Sequence, residues 1–76
     1  MELEKLCSII AEALNIDVKE IGEDTAFVDD LGANSLDMFE ILVGVEEEFD
    51  IELDSEAADR IVSVGDAAEE IKKAME

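Results

Sequence analysis

The sequence predicts an all-α fold, a small four-helix bundle with a long first loop and a short third helix. Three observations carry that expectation. Apolar residues recur at helical spacing in separate stretches of the chain. Proline is absent, the aromatics are three Phe, and Ala, Leu, Ile and Glu are abundant, which favours helix over sheet. Finally, 76 residues at 49% hydrophobic content suffice for one modest core but not for a deep catalytic cleft with its supporting shell. The chain therefore reads as a single domain over residues 1–76.

The first helix is expected from about Glu2 to Leu14, where Leu3, Leu6, Cys7, Ile10 and Leu14 form one stripe. Residues 15–34 lose that period and contain Gly22 and Gly32, yet they hold Val18, Ile21, Phe27, Val28 and Leu31. So apolar a connection is expected to fold back over the core. A second helix starts at Ser35 with Asn34 as N-cap and Asp37 at its third position, and runs to about Phe49. Ile51 and Leu53 then alternate with acids, suggesting a short extended stretch. A brief third helix covers about Glu56 to Val62, capped by Asp54 or Ser55. The last opens at Ser63-Val64-Gly65-Asp66, a capping-box pattern, with Val64, Ala67, Ala68, Ile71 and Met75 as its stripe. Lys72 and Lys73 suit the negative end of its dipole.

Charge narrows the function. Twenty-three acids against five bases give a formal net charge of −18, and residues 20–59 hold fifteen acids and no base. That field repels nucleic acid and anionic membranes, so neither is expected as a partner. It attracts basic protein surfaces, and it also serves solubility; composition leaves both roles open. No apolar run is long enough for a membrane span, and no signal peptide is read. The lone Cys7 cannot form an internal disulfide and reads as a small hydrophobe on the first helix. A cytoplasmic, reducing location fits, with an organelle matrix as the alternative.

The second helix divides into three sectors at 100° per residue. Asp37, Glu40, Gly44, Glu47 and Glu48 form an acidic, solvated stripe. Met38, Ile41, Leu42, Val45 and Phe49 form a broad face for the core. Leu36, Phe39 and Val43 form a second apolar strip, either an exposed contact surface or residues covered by the long loop. Ser35 stands at the first turn, where backbone N–H groups lack intrahelical partners and the helix dipole is positive. By position alone it is an ordinary helix-start serine, although a phosphodiester there would meet favourable electrostatics.

The stretch Asp30-Leu31-Gly32-Ala33-Asn34-Ser35-Leu36-Asp37, followed by Glu40 and Glu46-Glu47-Glu48-Phe49, resembles the signature region of acyl carrier proteins. The likeness extends over essentially the whole chain, including Phe27-Val28-Asp29-Asp30-Leu31-Gly32 and the tail from Ser55 to Met75. It departs from the family pattern at Asn34, where the family usually has Asp, so one negative charge beside the serine is lost.

The resemblance implies a carrier of acyl chains and not an enzyme. Its cofactor would be 4′-phosphopantetheine, attached covalently to Ser35 by a phosphopantetheinyl transferase, with Ser8, Ser55 and Ser63 unmodified. Fatty-acid synthesis enzymes with basic docking patches would be the partners of a monomeric shuttle, gripping Leu36, Asp37, Phe39, Glu40, Val43, Glu46 and Glu47. The acyl pocket implied by the resemblance comprises Phe27, Leu42, Val45, Leu53, Ala58, Ile61 and Ala67, all of which also read as core residues. Carriers of polyketide or other specialised pathways share this pattern. The residues give no nucleophile–base pair, since His is absent, and no metal-ligand cluster or EF-hand loop. An acidic interaction module without cargo is the remaining alternative.

Overall fold

A computed structural model describes residues 2–76 and is helical, as expected. The helices are α1 (Glu2–Leu14), α2 (Ser35–Phe49), α3 (Ser55–Arg60) and α4 (Val64–Met75), with a single 3-10 turn at Val18–Glu20. Helices α1, α2 and α4 pack around one core. Leu6 and Ile10 of α1, Ile41 and Val45 of α2, and Val64, Ala67 and Ile71 of α4 are buried there. Each fully buried Leu, Ile or Phe side chain contributes about 2 kcal/mol of transfer free energy. The stripes read from periodicity are thus the faces that meet, with Leu3, Cys7 and Leu14 half-buried along the edge of α1. Met75 departs from its stripe: it lies in the last turn of α4 and is exposed.

Gly44 also departs from expectation. It belongs not to a solvated stripe but to the α1–α2 contact, where an added Cβ would stand 3.0 Å from Ile9 Cγ2. The missing side chain lets the two helices approach, so the acidic stripe is interrupted at its middle by α1.

The long connection folds back as its apolar content demanded. Phe27 is fully buried, Ile21 is buried and Leu31 is half-buried. Val18 and Val28, expected to join them, face solvent. For Val28 the reason lies in the backbone. The Phe27 N–H donates to the Val62 carbonyl (3.0 Å), the Val64 N–H to Thr25 (2.9 Å) and the Gly65 N–H to Glu23 (2.8 Å). This short antiparallel contact, bridged at Ala26 and Ser63, stitches the loop to the α3–α4 junction. With Phe27 turned into the core, its neighbour Val28 points out.

Helix α3 starts and ends earlier than expected, at Ser55 and Arg60, with Asp54 as the cap that accepts the Ala57 N–H (2.8 Å). Ile61 leaves the helix in extended conformation with its side chain buried. Val62, read as helical, instead offers its carbonyl to Phe27 and is exposed. The preceding segment, 51–54, forms no ladder, and its Leu53 N–H donates to the Glu46 carboxylate (2.9 Å).

Helix α4 has the expected capping box, since Ser63 Oγ accepts the Asp66 N–H and Asp66 accepts the Ser63 N–H. The backbone N–H groups of Ser63 and Val62 hold the Asp66 carboxyl below its ordinary range. Glu70, which no periodicity singled out, is buried on this helix. Arg60 grips its carboxylate with Nη2 (3.0 Å) and Nε (3.2 Å), and Lys73 Nζ lies 3.6 Å away.

Candidate functional site

The approach to α2 is built by local hydrogen bonds. The Ala26 N–H donates to the Asp30 carboxylate (2.8 Å), and the Asp30 and Leu31 N–H groups donate to the Ala26 carbonyl. Gly32, whose N–H donates to Val28, takes φ 65°, in the left-handed region where a side chain is strained. That turn drops Ala33 into the core, with its N–H on the Phe27 carbonyl (3.0 Å). Asn34 then caps α2 as expected. Its Oδ1 accepts the Asp37 N–H (2.9 Å), and its own N–H donates to Asp37 Oδ2 (3.2 Å). A cap of this kind contributes about 1 kcal/mol. The result is a rigid start to the helix, with Ser35 exposed as its first residue.

Beside Ser35 opens a cleft of about 710 Å³ between the 26–35 loop, α2 and the α3 end. Ser35 and Asn34 lie on its edge, with Asp29 and Asp59 as the remaining polar lining. Of the residues expected in an acyl pocket, Phe27, Leu42, Ala58 and Ile61 line this cleft. Val45, Leu53 and Ala67 do not: Val45 and Ala67 are buried in the core, and Leu53 is half-buried against it. The lining also includes Ala33, Met38 and Val62, which periodicity could not assign because they sit on three different segments. Among the described residues no base lines the cleft, and the Arg60 guanidinium is turned to Glu70.

The second strip of α2 is a surface. Leu36 is 64% and Phe39 63% exposed, and Val43 is half-buried. Glu40 and Glu47 are exposed on the same helix. Asp37 is half-buried by its role in the capping box, and Glu46 has one carboxylate oxygen committed to Leu53. The exposed Phe39, Val28 and Val62 line the cleft together with Ser35, and Leu36 lies exposed next to the serine in the chain. Cys7 is remote in sequence from these segments and half-buried, and burial pushes its thiol pKa up, away from reactivity. No helix among the described residues is long and apolar enough to cross a membrane.

The arrangement is thus an exposed helix-start hydroxyl beside a largely apolar cleft. Comparison with known proteins shows the family. The family described as "Phosphopantetheine attachment site" matches residues 4–71. The acyl carrier protein of Clostridium acetobutylicum is 50% identical over 72 residues, covering 95% of this chain and 94% of that one. The acyl carrier protein of Prochlorococcus marinus strain MIT 9515 is 47% identical over 70 residues, covering 92% of this chain and 88% of that one. The chain belongs to the acyl carrier protein family, and its covalent cofactor is 4′-phosphopantetheine.

Proposed function

We propose that Ser35 is the attachment residue, and that the chain holds acyl intermediates of fatty-acid biosynthesis and delivers them to successive enzymes. The observation that carries this reading is the place of Ser35, exposed at the first turn of α2 and on the edge of an apolar cleft. When bound, the prosthetic group supplies a terminal thiol that holds the acyl chain as a thioester.

The residues present fit such a group. The N–H groups at the start of α2 offer a positive dipole end to a phosphodiester, so no basic side chain is required. Asn34 keeps this end of the helix fixed through its capping box without adding a negative charge beside the phosphate. Phe27, Leu42, Ala58 and Ile61 give an acyl chain an apolar lining and exclude water from it. The chain contributes position and shelter, and the chemistry belongs to its partners.

The partners are a phosphopantetheinyl transferase and synthesis enzymes with basic patches, met in the cytoplasm by a monomer. Glu40 and Glu47 supply the charge and Leu36, Phe39 and Val43 the apolar contact, with Asp37 and Glu46 at the margin of the same face. A small interface of this kind is weak and quickly reversed, as a shuttle requires. Intact-mass measurement after incubation with coenzyme A and a transferase tests the assignment. The natural chain gains one arm and Ser35→Ala gains none; an arm on that variant would move the site to another residue.

A further inference from the structure

One wall of the cleft is suspended. Ala58, Asp59, Ile61 and Val62 form it, and they belong to α3 and the residues just after it. A helix of six residues has no stability of its own in water and takes its place from tertiary contacts. Those contacts are few. Ala57 and Ile61 are buried, and the residues flanking the helix are held by hydrogen bonds of Leu53 to Glu46 and of Val62 to Phe27 and Asp66. From within the helix, its last residue adds a side-chain hold, the two-pronged grip of Arg60 on Glu70 of α4.

Glu70 is the one buried charged residue among the described residues. A buried carboxylate requires partners, and a two-pronged guanidinium bond fixes direction as well as distance. Lys73, on the same helix as Glu70, already supplies a charge at 3.6 Å. Arg60 is therefore not needed merely to neutralise Glu70. What it adds is a connection from α4 to the cleft wall.

We propose that Arg60 and Glu70 form a latch that holds α3 in place as the cleft wall and so limits the length of acyl chain the cleft accepts. This rests on the reading of the cleft as the acyl site. Arg60 is a positioning residue here: it lines no part of the cleft and acts through Ala58, Asp59, Ile61 and Val62. With the latch closed, the wall stays near α2. With it broken, α3 swings on its flanking segments and the cleft lengthens.

Two measurements on the full chain decide the matter, using Arg60→Gln, Glu70→Gln, the double variant and Arg60→Lys. The first is amide hydrogen exchange without cargo. Exchange at residues 58–61 should rise roughly tenfold in either Gln variant and no further in the double, with α1 and α2 unchanged and Arg60→Lys partly restored. Unchanged exchange in α3, or the same rise throughout the chain, overturns the latch whatever the cleft holds. The second is the gain in melting temperature on loading acyl chains of increasing length. The gain should level off at a shorter chain in the natural protein than in the Gln variants, and a shared cut-off overturns the length limit. If no chain length stabilises even the natural protein, the acyl reading of the cleft fails and takes the length limit with it, while the exchange result still decides whether the pair holds α3.

Discussion

At the scale of single residues, Glu70 has the most unusual setting. The Arg60 hydrogen bonds, and after them the charges of Arg60 and Lys73, hold its carboxyl below the ordinary 4.5 although burial pushes the other way. A depressed carboxyl contributes stability that is complete above its unfolded pKa and is lost as pH falls through the folded one. Glu70→Gln should therefore be less stable than the natural chain at neutral pH, and the gap should close as the solution is acidified below about 4.5. Thermal melts of both proteins from pH 7 to pH 3 check this. A gap that persists at pH 3 would mean that shape, and not charge, sets the cost of the substitution. Nothing in the sequence announced the pair. Glu70 is one acid among twenty-three, ten residues from its partner, and only the turn between α3 and α4 brings the two together. The helix start that presents Ser35, by contrast, was legible, because it is specified by the immediate neighbours Gly32, Asn34 and Asp37, whereas the role expected of the serine came only from the family resemblance.

At the scale of elements, α1, α2 and α4 were legible in extent and facing, since each carries a long amphipathic period. The third helix was displaced because six residues cannot show a period, and its end is set by the Phe27–Val62 hydrogen bond, a contact distant in sequence. The cleft was half legible for the same reason. Phe27, Leu42, Ala58 and Ile61 face it, but telling them from Val45 and Ala67 requires knowing where α3 lies against α2. Helix α2 also carries the proposed docking face, and charge there should govern association more than stability. Glu40→Lys with Glu47→Lys should slow association with basic partner enzymes by roughly tenfold at low salt, with little change in melting temperature because both positions are exposed. Glu4→Lys with Glu12→Lys on α1 changes the net charge equally and should have a much smaller effect. Equal slowing by both pairs in stopped-flow measurements would assign the effect to overall charge and remove the special role of α2.

At the scale of the whole molecule, net charge and cleft act together. Fifteen acids without a base over residues 20–59 repel one another in any compact state, and of the two bases that flank the stretch, Lys19 and Arg60, the second is bound to Glu70. Screening should therefore stabilise the fold. Raising sodium chloride from about 0.01 to 1 M shortens the screening length from about 30 to about 3 Å. Relief of about 1 kcal/mol would raise the melting temperature by roughly 4–8 °C in a chain this small. A melting temperature indifferent to salt would show that the acids are already far enough apart. The same molecule keeps a largely apolar cleft beside Ser35, the proposed attachment residue, and that pairing is the centre of the account. It is tested most directly by side-chain NMR of the chain bearing the bare arm and the chain bearing a medium-length acyl group. The account predicts shifts on acylation concentrated at Phe27, Met38, Leu42, Ala58 and Ile61, which line the cleft, with Leu6 and Ile10 in the α1 core nearly still. Shifts centred on the α1–α4 interface, or none in the cleft, would contradict it.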